Sequence, residues 1–254
     1  MQRFSFDFAD PVFEIGGWRL SLQVTTFENT YGLDPERTSV RREGDGWAME
    51  AEGLTWAGGQ IKAEGRAWLR ASPTDEGIEV VAGAEVPEER VRSLKVIVRG
   101  LEAEQLIGRN WEARPFPAHG RVLRYPGPSL EGLDTPPFIH TPLVFLEKGG
   151  EHTYFESLDG RVRAKRFAFY AQGGEAIAEL IHEEAAHEMS GRIETPPWRI
   201  GRTRDPEAVV REHTAHVERA YGLRPWEERA DVPAWAREIS LVVTLHGMHW
   251  TGYT

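Results

Sequence analysis

The chain contains no cysteine, which excludes disulfides, thiolate nucleophiles and zinc sites built on thiolates. No segment approaches the roughly 20 consecutive apolar residues of a membrane helix. The start, Met1-Gln2-Arg3-Phe4-Ser5-Phe6-Asp7, has no apolar core of a secretory leader. Basic residues are in deficit: 30 Lys and Arg stand against 40 Asp and Glu, for a net charge of -10. The basic residues are also interspersed with acidic ones, which argues against a nucleic-acid phosphate backbone as partner. There is no Gly-rich phosphate loop, nucleophile elbow or kinase motif, and no internal repeat or low-complexity stretch. These absences leave a cytoplasmic, acidic globular protein as the expectation, with no cofactor, no metal, no nucleic-acid partner and no membrane partner.

What is present is β-structure. The 254 residues suffice for one large β domain. Arg3 to Phe8 alternates with its Phe face inward, and Trp18 to Val24 does the same. Gly16-Gly17 and Asp45-Gly46 punctuate hairpins, and Trp47 to Trp56 with Gln60 to Leu69 predict one long pair across Gly58-Gly59. Gly77 to Val86 and Val91 to Val98 follow, joined at Pro87 to Arg90. Strands this long favour a wide sandwich over a small one. After an irregular stretch, β returns at Leu143 to Leu146, Thr153 to Ser157, Val162 to Tyr170 and Glu175 to His182. Phe155, Phe167 and Phe169 mark its inward faces, and Asp159-Gly160 and Gly173-Gly174 its turns.

From Asn110 to Pro142, seven prolines among glycines preclude regular structure over much length. Trp111, Phe116, Tyr125 and Phe138 argue that this loop is packed or in contact with something. Arg109-Asn110-Trp111-Glu112 combines a planar ring with amide and guanidinium donors, as a sugar-binding surface requires; the alternative is a loop pinned by its own aromatics. The nine tryptophans pose the same choice between stacking platforms and core filler.

Asp205 is a good N-cap, Pro206 suits a first turn and Gly222 is a natural stop, so a helix is predicted between them. Val209, Val210, His213, Val217, Ala220 and Tyr221 fall on one face of it. Leu223 to Trp226 and Val232 to Trp235 then turn the chain into Ile239 to Leu245, an apolar run of the kind buried on both faces in parallel sheets. Ligand-contacting residues sit at the carboxyl ends of such strands. Here that end carries His246, His249, Trp250 and Tyr253.

The order of β-rich domain, linker helix and lone terminal strand, carried most specifically by Asp205 to Tyr253, resembles the amino-terminal part of α-galactosidase-like glycoside hydrolases. In that family a β-supersandwich precedes a catalytic (β/α)8 barrel. The resemblance implies a mainly β fold: a large antiparallel β-supersandwich, galactose-mutarotase-like, over residues 1–200, a helical linker over 201–234, and a terminal strand over 235–254 resembling the start of the barrel. The family's catalytic Asp pair lies on later barrel strands, so no catalytic residue is carried over.

Two histidine sets bear on metal chemistry. Ile181 to His187 has the look of a zinc-protease helix, but its second histidine is at i+5 rather than i+4, off the first one's face, and the context reads as strand. His213 and His216 share a helix side without a third ligand. The expected role is that of a non-catalytic, carbohydrate-associated domain of a glycoside-hydrolase-like protein. Its substrate contacts would be His246, His249, Trp250, Arg109 and Trp111. The alternatives are a self-contained mutarotase-like enzyme with histidine and glutamate as acid and base, or a homo-oligomeric carbohydrate-binding module.

Overall fold

The computed structural model describes residues 4–7, 10–56, 59–108, 112–117, 119–126 and 139–239. Strand β1 (Phe4–Asp7) pairs with β2 (Asp10–Ile15), which turns into β3 (Trp18–Thr26) through Gly16 and Gly17. Both glycines have positive φ, 61° and 82°, the backbone of a tight hairpin that matches strand twist. Then β4 (Thr30–Leu33) returns beside β3. A 3-10 turn capped by Asp34 leads to the hairpin of β5 (Thr38–Glu43) and β6 (Gly46–Ala51). Next come β7 (Leu54–Trp56), β8 (Ile61–Ala63), β9 (Arg66–Pro73) and β10 (Gly77–Glu85). They are followed by β11 (Val91–Leu101), β12 (Gln105–Ile107), β13 (Ala113–Pro115) and β14 (Arg121–Tyr125). The hairpins of β15 (Leu143–Lys148) with β16 (Glu151–Ser157) and of β17 (Lys165–Gln172) with β18 (Glu175–Glu183) come next. Last are β19 (Arg192–Glu194), β20 (Trp198–Thr203), helix α1 (Pro206–Tyr221) and the single turn α2 (Ala234–Arg237).

Among the described residues these strands form two antiparallel ten-stranded sheets. The first runs β14-β17-β18-β11-β3-β4-β7-β8, with β2 on β3 and β1 on β2. The second runs β13-β12-β15-β16-β20-β10-β9-β6-β5, with β19 on β10. The protein is thus the mainly β, large two-sheet sandwich expected. One apolar cluster fills the space between the sheets: Leu20, Leu22, Val96 and Phe167 from the first meet Leu69, Val80, Phe155 and Ile200 from the second. Trp18 and Trp198 lie wholly within it, so these two are core filler.

One local expectation needs correction, and two further regions hold strands that the sequence does not announce. The predicted long hairpin from Trp47 to Leu69 is broken at Glu52-Gly53 and Glu64-Gly65. Its base, β6 with β9, belongs to the second sheet, and its tip, β7 with β8, belongs to the first. The cause is visible at Gly65, whose φ of 156° bends the chain where an added Cβ would come within 3.1 Å of the Glu85 carbonyl. Strands of two sheets are commonly joined by such bends. The proline-rich stretch holds two short strands, β13 and β14, both at sheet edges, where proline is tolerated. Finally, Trp198–Thr203, for which the sequence predicts no strand, is the strand between β16 and β10 in the middle of the second sheet.

Glycine is required where large rings lie flat on the second sheet's outer face. A Cβ built on Gly83 would sit 2.0 Å from the Trp68 ring, which is held between Arg66 at 5.7 Å and Arg192 at 5.9 Å. Gly83→Ala is therefore expected to cost about 2–3 kcal/mol, the scale of an overpacked site. Urea unfolding with near-UV circular dichroism as readout checks it, because the Trp68 signal should change along with the midpoint.

Helix α1 has the boundaries expected. Asp205 Oδ1 accepts from the Ala208 amide at 3.0 Å, and Gly222 closes the helix in the left-handed region at φ 60°. Val209 and Val210 pack on Leu143, Phe145 and Tyr154 of the outer face of the second sheet. Ala220, expected on this face, is exposed. The run from 222 to 239 is solvent-facing apart from the half-buried Val232 and Ala236, with Leu223, Trp226, Trp235 and Ile239 exposed. The predicted strand Ile239 to Leu245 lies outside the described residues beyond Ile239. No helix among the described residues is long and apolar enough to cross a membrane.

Candidate functional site

Strand alternation continues past the apolar core at both ends of the sandwich, and there the inward positions turn polar. At one end Phe167 is followed on the inner face by Lys165, Leu180 by His182, and Phe155 by Ser157. Lys165, His182 and Ser157 are buried to 1% exposure or less. Lys165 Nζ donates to Asp159 Oδ2 at 2.7 Å and to the Arg163 carbonyl at 2.9 Å. It also lies 5.4 Å from the centre of the Tyr125 ring. Asp159 further accepts from Arg163 Nε at 2.9 Å and Nη2 at 3.0 Å, and from the Arg161 amide at 3.0 Å. Arg163 Nη1 reaches Glu184 at 3.0 Å, and the Tyr221 hydroxyl at the end of α1 contacts the Asp159 carbonyl at 3.5 Å.

This end is a closed ionic plug. Burial pushes the Lys165 ammonium below the usual lysine range, with the Asp159 carboxylate opposing that shift. Burial alone would raise the Asp159 carboxyl, yet the donors of Arg163 and Lys165 hold it below the usual carboxylate range. His182 is pushed down to about 3, first by burial and then by the cations Arg163 and Lys165. Neither of its ring nitrogens has a hydrogen-bond partner among the described residues. Burial, followed by the neighbouring Tyr221, pushes Tyr125 up to about 12.

At the opposite end the same alternation yields an open cleft of about 590 Å³. Leu146 is followed on the inner face by Lys148, Phe155 by Thr153 and Glu151, and Ile200 by Arg202. Two contacts strap the sheets together here. The Arg202 guanidinium lies 4.4 Å from the centre of the Trp18 ring and donates to the Gly16 carbonyl at 3.2 Å. Lys148 Nζ donates to Glu102 Oε2 at 2.7 Å, and this Lys148 donor holds the Glu102 carboxyl below its ordinary range. Gly100, at φ 79°, lies in the bulge between Val98 and Leu101 that delivers Leu101 and Glu102 to the rim. Glu151 and Thr153 lie between the straps.

A third polar set fixes α1. His213 is buried, its Nδ1–H donates to Glu156 Oε1 at 2.7 Å, and Nε2 pairs with the Thr141 hydroxyl. Glu156 also faces Arg199 Nη1 at 3.3 Å. His213 is therefore a hydrogen-bonded core histidine. His182 lies in strand β18 and His187 beyond its end, so the residues of the zinc-like motif do not form a helix. Among the described residues no group of three or more His, Asp or Glu could hold a metal ion.

The five predicted contact residues, His246, His249, Trp250, Arg109 and Trp111, all lie outside the described residues. Their neighbour Glu112 is described, and pairs with Arg114 at 2.8 Å. Sequence reasoning passed over Lys148, Glu151, Arg202 and Lys165, although a signal existed: each continues an inward apolar stripe at spacing two.

No protein-family model matches the chain, and no curated protein does. Among solved structures, the glycoside hydrolase family 36 α-galactosidase AgaA from Geobacillus stearothermophilus is similar, with a TM-score of 0.42 and 12% sequence identity. The match covers 72% of this chain and 30% of that one, so the chain spans under a third of that protein's length. A likeness this loose defines neither a family nor an activity. What the strands themselves define is the class: a large antiparallel two-sheet sandwich with a helix on one face.

Proposed function

We propose that the chain is a non-catalytic, carbohydrate-associated sandwich domain of a glycoside-hydrolase-like protein. Residues 1–200 form the sandwich body, 201–234 the linker, and 235–254 the segment leading into a following barrel. The single observation that favours this over a mutarotase-like enzyme is the state of the two buried histidines an enzyme would use. His213 is pinned between Thr141 and Glu156 under α1, and His182 faces the sandwich interior behind an ion network. Both serve the fold, and neither is presented to a substrate, which general acid–base work requires. The carbohydrate part of the proposal rests on the order of domain, helix and strand in the sequence.

The expected outcome is that the pure chain neither hydrolyses aryl glycosides nor accelerates interconversion of aldose anomers, and that it binds neutral sugars in a titration. Turnover of either kind, lost in His182→Phe or His213→Gln, would establish the enzyme reading instead. The exposed Leu223, Trp226, Trp235 and Ile239, all within one short stretch of chain, favour in addition a contact with another folded unit. A mass in solution that rises with concentration would identify a second copy as that unit.

A further inference from the structure

We infer that the open end of the sandwich is a binding site for a neutral, hydroxyl-rich ligand of mono- to disaccharide size, held by Glu151, Lys148, Glu102 and Arg202 between the two inter-sheet straps. The inference rests on the carbohydrate reading above and gives it a place in the fold.

Size comes first. About 590 Å³ falls within the range of roughly 300–1,000 Å³ seen for small-molecule sites. Charge comes second. The rim carries two carboxylates, Glu102 and Glu151, and two cations, Lys148 and Arg202, so a net charge on the ligand would gain nothing from the balance. A ligand that both donates and accepts uses every one of these groups. Each sugar hydroxyl does both, and a vicinal pair spans the two oxygens of a carboxylate or the two outer nitrogens of a guanidinium.

Preorganisation comes third. The Arg202 guanidinium lies over the Trp18 ring and is tethered to the Gly16 carbonyl, which holds it in place before any ligand arrives and reduces the entropy lost on binding. Lys148 and Glu102 are likewise held by each other. Glu151 and Thr153, on the inner face of β16, form the floor between the straps. The opposite end of the same interior shows the contrast: there the Lys165 ammonium and the Arg163 guanidinium are committed to Asp159, Glu184 and a backbone carbonyl.

The test is a titration of the full chain with galactose, glucose, lactose and melibiose, followed by amide chemical shifts, with glucuronate as the anionic counterpart. Glu151→Ala and Lys148→Ala should each weaken the binding of neutral sugar about ten-fold, the scale of losing one charged hydrogen bond. Lys62→Ala, at the far hairpin, should leave it unchanged, and circular dichroism should show all three variants folded. Equal binding in the wild type and both cleft variants would overturn the site while leaving a carbohydrate-associated domain intact. Binding of no sugar at all would overturn both, and preference for glucuronate would overturn the assignment of a neutral ligand.

Discussion

Asp159→Ala should cost the protein about 3–5 kcal/mol, whereas Lys165→Met should cost within about 1 kcal/mol, although the two residues form one ion pair. The asymmetry follows from the geometry of the plug. Asp159 is the shared acceptor of Lys165 and Arg163, and Lys165 is wholly buried. Without the carboxylate, the Lys165 ammonium keeps only the Arg163 carbonyl and the Tyr125 ring, and Arg163 keeps only Glu184. An uncompensated charge inside the sandwich carries its full desolvation penalty. Without Lys165, Asp159 still holds two Arg163 donors and the Arg161 amide, and the Met side chain fills the same inner-face position. Urea denaturation of the two variants, analysed with a common slope, measures both values. Equal losses would mean that the lysine matters to this end as much as the aspartate, and would overturn the asymmetry.

The second large effect is acid sensitivity set by His182. Its folded-state value lies near 3 against an ordinary value of 6.5, so as pH falls below 6.5 the unfolded chain takes up a proton that the folded chain refuses. Stability is therefore complete above about pH 6.5, declines by about 1.4 kcal/mol per pH unit below it, and levels off near pH 3, a total on the order of 5 kcal/mol. The groups facing this imidazole are Lys165, Arg163, Arg161 and Asp159. Asp159, held low, adds its own loss only at pH values below the ordinary carboxylate range. The carboxyls of Glu50, Glu102 and Glu188 are also held below their ordinary range by their Arg or Lys partners, so the window from pH 6.5 to about 5.5 reports the histidine most directly. His182→Phe should flatten the stability profile in that window while keeping the ring volume in the core. A variant profile as steep as that of the wild type would assign the slope elsewhere.

Much of this fold was legible because alternation is a local property. Phe155, Phe167 and Phe169 were marked as inward from spacing alone, and all three lie in the core. The caps Asp205 and Gly222 stand where the sequence put them. What was hidden depended on partners distant in the chain. Trp198–Thr203 follows two prolines and is short, and it is a strand because β16 and β10 flank it. Likewise, nothing in Trp47 to Leu69 says that its tip must leave one sheet for the other. The polar ends were hidden for a different reason. Lys148, Glu151, Lys165, His182 and Arg202 look like ordinary charged residues at strand ends, and only the opposing sheet makes one group a plug and the other a cleft.

The hairpin shared between the sheets also limits how anything can reach the interior. On one flank the chain passes from the second sheet at β6 to the first at β7 and β8, and back at β9. On the other flank it passes from the second sheet at β13 to the first at β14. A sandwich stitched along both flanks cannot open like a hinged clam, because parting its faces would first tear edge pairings on either side. Passage to the interior is thereby confined to the directions along the strands, and of those two routes one ends against Asp159 and Lys165 and the other in the cleft beside Arg202.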